Sequence, residues 1–160
     1  EFSEIIYEFK KRDKNKPLIL MGSEYNQLIN YVHESAKVDY EIMASKYWPG
    51  ALTMVVPSSH QHNKILTSND FTLGLRVPNS YMAQTLINET GPLLTSSANI
   101  SGLKGSVTAE GIALDFPSLG ILGPLPWEKN SGKASTILTW KKLGEWKLIR
   151  KGEVLVKGLQ

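Results

Sequence analysis

Cysteine is absent from the 160 residues of this chain. The sequence therefore offers no disulfide, no thiolate ligand for zinc and no cysteine nucleophile, and this composition suits a reducing compartment. No apolar run approaches the length of about 20 residues that spans a membrane as a helix. Neither a G-x-x-x-x-G-K-[ST] nor a G-x-G-x-x-G segment occurs, which excludes two common nucleotide-binding loops. His60 and His62 have no third ligand nearby, so we expect no metal site.

The net charge of +3 is small, but the charges are unevenly placed. Residues 1–16 carry five Lys/Arg against four Asp/Glu, residues 17–128 carry five against nine, and residues 129–160 carry eight against two. Basic ends around an acidic middle indicate an anionic ligand held between the two ends. A solvated charged surface explains the same pattern equally well. Nucleic acid is a weaker interpretation, because no arginine–aromatic stripe is present.

Segments of helical and strand character alternate along the chain. Helices are predicted from the beginning to about 11, from 23 or 24 to about 33, over 39–47, from 79 or 80 to about 90, and from 108 to about 115. Strands are predicted at 18–21, 52–56, 72–77, 92–95, near 121, at 134–138 and at 146–149. This order predicts one α/β (α+β) domain over residues 1–160, with an open sheet.

The most informative stretch is residues 92–102, which read Pro-Leu-Leu-Thr-Ser-Ser-Ala-Asn-Ile-Ser-Gly. An apolar strand ends there in short hydroxyl and amide side chains, including Ser97 and Asn99. Such a strand end can direct hydroxyls and backbone N–H groups at phosphate or carboxylate oxygens. A serine-rich turn followed by a helix N-cap is the competing interpretation.

Two groups of cations stand out beside that stretch. Lys10, Arg12 and Lys16 lie within seven residues and would repel one another unless an anion holds them, although a solvated lysine cluster is the alternative. Arg76 lies in an otherwise apolar strand and must find a partner, unless it is an edge-strand arginine that faces water.

Six segments in one order resemble the YrdC family. They are Lys10-Lys11-Arg12 with Lys16-Pro17-Leu18, Trp48-Pro49-Gly50 followed by Leu52-Thr53, Leu75-Arg76-Val77-Pro78, Ser97-Ala98-Asn99-Ile100-Ser101-Gly102, Ser135-Thr136-Ile137, and Arg150-Lys151-Gly152. Each segment alone is weak, but their shared order over residues 9–152 is specific. The resemblance implies a YrdC-like twisted open mixed sheet flanked by helices, in a cytoplasmic protein without membrane contact.

The same resemblance implies a reaction and a set of binding residues. The family joins L-threonine, bicarbonate and ATP into threonylcarbamoyl-AMP for the t6A37 modification of tRNA, and Mg²⁺ is expected to travel with the triphosphate. Arg76 is expected at the threonine carboxylate, and no residue is assigned as certainly catalytic. The full set of expected substrate and ATP contacts is Lys10, Arg12, Lys16, Thr72, Arg76, Ser97, Asn99, Ser135 and Arg150. The implied partners are tRNA or double-stranded RNA and a threonylcarbamoyl transferase complex.

One departure from the family pattern is large. The family's first strand, with its Pro-Thr-Asp/Glu-Thr and Tyr-Gly-Leu pattern, has no counterpart here, so we expect either a missing beginning or a shortened relative. Three alternatives therefore stay open. The chain is a non-enzymatic RNA-binding module, a relative that handles carbamoyl phosphate as in hydrogenase maturation, or a paralogue that binds nucleotide without turnover.

Overall fold

A computed structural model of the chain describes residues 2–11, 13, 17–59, 71–100, 102, 105–127 and 131–159. The strands in this part are β1 (Ile19–Met21), β2 (Leu52–Pro57), β3 (Thr72–Arg76), β4 (Leu93–Thr95), β5 (Thr136–Lys142) and β6 (Glu145–Arg150). The α-helices are α1 (Phe2–Phe9), α2 (Tyr25–Leu28), α3 (Lys37–Tyr47), α4 (Tyr81–Thr90) and α5 (Ala109–Asp115).

The six strands form one mixed sheet in the order β4-β1-β3-β2-β5-β6. Strand β1 pairs in parallel with β3, and β2 pairs in parallel with β5, while the other neighbours are antiparallel. Helices connect several of these strands. The expected α/β architecture with an open mixed sheet is therefore confirmed.

One face of the sheet builds the hydrophobic core. Leu75 of β3 and Met54 of β2 are directly paired and fully buried, and they belong to the same core cluster as Tyr40 of α3. Successive side chains of a strand point to opposite faces. Thr53 and Arg76, which flank this pair, therefore lie on the face that turns away from α3.

The predicted helix starts rest on caps that the structure confirms. The hydroxyl of Ser80 accepts a hydrogen bond from Ala83 N at the beginning of α4. Thr108 does the same for α5, with its hydroxyl accepting from Gly111 N at 3.2 Å. These bonds satisfy backbone donors that a first helical turn leaves without partners.

Two sequence predictions were wrong in detail. No strand forms near Ile121, where Pro124 and Pro126 follow closely, because proline has no N–H to donate to a sheet. The helix expected up to residue 33 ends much earlier: α2 stops at Leu28, and a 3-10 turn over Ile29–Tyr31 follows.

Within the part of the chain described, no helix combines the length and apolar character needed to cross a bilayer. Across those same residues, no three or more His, Asp or Glu side chains group as they would around a metal ion.

Candidate active site

Arg76 ends β3, a central strand of the sheet, and is half-buried. Its Nε donates a hydrogen bond to the carbonyl oxygen of Gly50 at 3.0 Å. Among the residues that the structure describes, no acceptor lies within hydrogen-bond distance of its two terminal nitrogens. The alternative of an edge-strand arginine facing water is therefore wrong, and the outer half of the guanidinium remains able to bind an anion.

The electrostatic surroundings of Arg76 also favour an anionic ligand. Burial is the main effect that lowers the pKa of this guanidinium, and the nearby Arg150 adds to the lowering. Glu153 acts in the opposite direction and raises the pKa. A carboxylate or phosphate bound between the two arginines would offset both the burial and their mutual repulsion.

Ser135 lies directly before β5 and is hydrogen-bonded to two neighbours. Its hydroxyl lies 2.9 Å from Thr53 Oγ1, in a fully buried contact between residues distant in the chain. Nη2 of Arg150 donates to the same hydroxyl at 3.1 Å and to the Ser135 carbonyl at 2.9 Å. We call Thr53, Arg76, Ser135 and Arg150 the arginine cluster.

Gly152 explains why the chain can build this cluster. Its N–H donates to Thr136 Oγ1 at 3.1 Å, and the next N–H, of Glu153, donates to the Ala134 carbonyl at 3.0 Å. A Cβ at residue 152 would lie 2.4 Å from backbone atoms of residues 134–136. Only glycine lets the chain after β6 pass so close to the start of β5.

A second polar group follows β4, and Lys10 holds it in place. The Lys10 ammonium donates to Ser96 Oγ at 3.0 Å and to the carbonyl oxygen of Ser97. Ser97 Oγ donates in turn to Asn99 Oδ1 at 2.5 Å. We call residues 96–100 the serine turn. Ser97 and Asn99 are therefore hydrogen-bonded to each other, and their role in binding a ligand stays a prediction.

Lys10 itself is only 6% exposed, so the picture of a solvated lysine is wrong for this residue. Its ammonium is engaged with the serine turn and does not stand open to solvent. Arg12 and Lys16, the other expected cations of this segment, lie outside the described residues, as do Ser101, His60 and His62.

The pairing of the strands relates the two groups to each other. Met21 of β1 pairs with both Arg76 and Leu93, whereas Ile19 pairs with both Gly74 and Thr95. Residues that pair across neighbouring strands point to the same face of the sheet, and so do Ile19 and Met21, which are two positions apart in β1. Thr95 therefore lies on the same face as Arg76. The chain after Thr95 thus leaves the sheet at the opposite strand end from Arg76.

Thr72 marks that opposite end in β3. Thr72 precedes Arg76 by four positions, which corresponds to roughly 13 Å along an extended strand, and both lie on one face. The residues between Thr72 and Arg76 on this face form a half-buried strip of the sheet. The arginine cluster lies at the Arg76 end of this strip, and the serine turn lies at the Thr72 end.

The sequence missed Thr53 and Gly50 as members of the site. Both belong to the segment that resembles the family's W-P-G-x-x-T pattern, but the pattern assigns them no contact. Thr53 could be recognised as part of the site only from the parallel pairing of β2 with β5, which brings it beside Ser135.

Comparison with known sequences gives one consistent result. A family model designated Sua5_yciO_yrdC and described as telomere recombination matches residues 1–152. A threonylcarbamoyl-AMP synthase from Yersinia pestis is 35% identical over 138 residues, which cover 83% of this chain and 72% of that protein.

Comparison with solved structures indicates the same family. Sua5 of P. abyssi, solved in complex with L-threonine, is 30% identical with a TM-score of 0.82, and the match covers 94% of this chain. This chain spans only 44% of that longer protein. YciO of E. coli shares the fold, with a TM-score of 0.74 and 22% identity over 97% of this chain and 75% of that one.

Proposed function

The chain belongs to the Sua5/YciO/YrdC family, and we propose that it forms L-threonylcarbamoyladenylate from L-threonine, bicarbonate and ATP. The synthase from Y. pestis and the threonine complex of P. abyssi Sua5 support this proposal at the level of the family. The product would serve the t6A37 modification of tRNA. The reaction would take place in the cytoplasm, where tRNA and ATP are both available.

One observation carries the proposal. Arg76 and Arg150 lie at one end of a half-buried sheet face, and the terminal nitrogens of Arg76 have no acceptor among the described residues. Arg76 is half-buried close to the exposed guanidinium of Arg150, and a bound anion would offset both the burial of Arg76 and the repulsion between the two cations. A substrate with a carboxylate and a triphosphate supplies such charges.

The proposed chemistry needs no covalent enzyme intermediate. The threonine amine attacks the carbon of carbon dioxide or bicarbonate, which gives a carbamate and releases a proton or water. A carbamate oxygen then attacks the α-phosphate of ATP, a new oxygen–phosphorus bond forms, and pyrophosphate leaves. Positioning and charge neutralisation supply most of the catalysis in such nucleotidyl transfer.

The residues divide by the chemistry of their side chains. Arg76 binds the threonine carboxylate, because its planar fork matches two oxygens. Arg150 and Ser135 bind phosphate oxygens at the same strand end. Ser97, Asn99 and Thr72 contact the nucleotide from the other end of the strip. The engaged ammonium of Lys10 positions the serine turn, and Arg12 and Lys16 remain proposed phosphate ligands.

Mg²⁺ is proposed to arrive with the triphosphate. The arginine cluster and the serine turn offer hydroxyls, amides and cations, which suit phosphate oxygens better than a bare divalent ion. The nearby carboxylate of Glu153 already accepts a hydrogen bond from Ser131 Oγ at 2.6 Å. These residues therefore fit a metal that is held by the triphosphate and water.

Release of pyrophosphate from ATP tests this function. We expect release that requires both L-threonine and bicarbonate, with threonylcarbamoyl-AMP detected by mass spectrometry. Release with carbamoyl phosphate in place of threonine would support the carbamoyl-handling alternative. Nucleotide binding without any release would support a paralogue that lacks turnover.

A second candidate function is RNA binding, which the β5–β6 hairpin favours. Lys141, Lys142, Lys147 and Lys151 are all exposed in or beside this hairpin. Binding of tRNA or double-stranded RNA to such a surface would weaken steeply with added salt and would not require threonine. A filter-binding titration at several salt concentrations separates it from the enzymatic role. A transferase complex that receives the product remains a further proposed partner.

A further inference from the structure

The hydroxyl of Thr53 has one partner in the described part of the chain. Thr53 is only 1% exposed, and its Oγ1 lies 2.9 Å from Ser135 Oγ. Either oxygen could donate across this contact if the pair stood alone. The surroundings of the two hydroxyls decide the direction.

Burial of Thr53 makes it the donor. Either direction leaves one hydroxyl proton without an acceptor among the described residues, and Thr53, at 1% exposed against 6% for Ser135, is the more enclosed of the two. An unsatisfied buried donor is costly, whereas a hydroxyl oxygen that leaves a lone pair unused is tolerated more readily. The Thr53 proton therefore points at Ser135 Oγ.

Arg150 occupies the remaining acceptor position of Ser135. A guanidinium can only donate, and Nη2 of Arg150 lies 3.1 Å from Ser135 Oγ. A serine oxygen has two lone pairs and one proton. With Thr53 and Arg150 both donating to it, Ser135 has only its own proton left to offer.

From this arrangement we infer that Thr53 is a positioning residue, which makes the hydroxyl of Ser135 a donor to an anionic oxygen of the substrate. The inference rests on the proposed function for the identity of that oxygen, a phosphate oxygen of ATP. Met54 pairs with Leu75, so Thr53 lies opposite Arg76 on the half-buried face. Ser135, Arg150 and the outer nitrogens of Arg76 thus present donors alone. A group of hydrogen-bond donors binds an anion and disfavours a ligand atom that is itself a hydrogen-bond donor.

Binding of α,β-methylene-ATP, measured by calorimetry, tests the inference without requiring turnover. Thr53→Val keeps the shape of the side chain but removes the hydroxyl, and we expect it to weaken binding about tenfold or more. Thr53→Ser keeps the hydroxyl and should stay within about threefold of the unmodified chain. Thr139→Val, a control on β5, should leave the affinity unchanged.

A double substitution separates positioning from a general loss of structure. In a Ser135→Ala background, Thr53→Val should weaken binding no further, because its effect passes through the serine hydroxyl. A further loss of similar size in that background would overturn the inference. Unchanged affinity of the Thr53→Val variant for the analogue would also overturn the inference. The same holds if the unmodified chain binds neither the analogue nor pyrophosphate.

The outcome is independent of the proposed reaction. If threonine-dependent pyrophosphate release is absent but the double substitution behaves as expected, the reaction is wrong and the role of Thr53 stands. If release occurs and Thr53→Val binds and reacts normally, the reaction stands and the role of Thr53 is overturned.

Discussion

The backbone of Gly152 lies against the peptide of Ser135 so closely that a Cβ on residue 152 would come within 2.4 Å of the Ser135 carbonyl carbon. This contact joins the end of β6, which carries Arg150, to the beginning of β5. It is the reason that Arg150 can donate to both the carbonyl and the hydroxyl of Ser135. The position of a proposed binding side chain, that of Arg150, thus depends on a residue that has no side chain.

Gly152→Ala should therefore reduce both stability and activity. The added methyl group must displace backbone atoms, and overpacking of this kind costs about 1–3 kcal/mol. Thermal unfolding followed by pyrophosphate release measures the two effects. Gly120→Ala is the matched control, because a Cβ there meets nothing within 4 Å and the backbone is unstrained. Equal stability and activity of the two variants would contradict the importance of this contact.

Lys10→Met should weaken ATP binding by releasing the serine turn. The lysine ammonium bonds to Ser96 Oγ and to the Ser97 carbonyl, and loss of such a charged donor costs about 1.5–3 kcal/mol. Lys11→Met removes the neighbouring charge from an exposed position and serves as the control. Calorimetric titration with an ATP analogue compares them. If both variants lose affinity equally, net charge and not the buried contact is responsible.

Arg76→Ala should raise the threonine requirement far more than the ATP requirement. Loss of a charged hydrogen bond to the carboxylate predicts a rise of about tenfold or more in KM for threonine. Arg76→Lys keeps the charge but loses the planar fork, so it should restore only part of the affinity. Steady-state kinetics with each substrate varied in turn gives the two KM values. Equal increases in both would contradict this assignment.

Asp39→Ala should destabilise the β5–β6 hairpin. Oδ2 of this buried carboxylate accepts from Trp140 Nε1 at 2.7 Å and from Gly144 N at 2.8 Å, which anchors the hairpin to α3. Removal leaves these donors without their acceptor, at a cost of about 1–3 kcal/mol. Chemical denaturation compares it with Glu41→Ala, an exposed change on the same helix. A difference below about 0.5 kcal/mol would contradict the anchoring role.

Local chemistry made much of this fold predictable from sequence. Ser80 and Thr108 each precede a helix, and a cap bond depends only on residues within one turn. The apolar runs of β2 and β3 likewise show where buried strands begin and end. The wrong strand near Ile121 shows the limit of this reasoning, because Ile121 and Leu122 lie between glycines with two prolines close behind, and proline has no N–H to donate to a ladder.

Contacts between distant segments could not be read from the sequence. Lys10 and Ser96 are 86 residues apart, and Thr53 and Ser135 are 82 apart. The proximity of Thr53 and Ser135 follows from the strand order, in which β2 lies beside β5, whereas Lys10 reaches Ser96 from the turn that follows α1. Resemblance to the family identified most of the candidate residues. Only the packing showed that Lys10 is buried and that Thr53 belongs to the cluster.

A crystal structure with L-threonine and α,β-methylene-ATP bound together tests the central claim most directly. We predict that the carboxylate of threonine contacts the outer nitrogens of Arg76, while the nucleotide extends along the same sheet face to Ser97 and Asn99. The two ligands would then place the threonine amine and the α-phosphate at one reaction centre. Ligands bound on separate faces, or a nucleotide that contacts neither the arginine cluster nor the serine turn, would contradict the account.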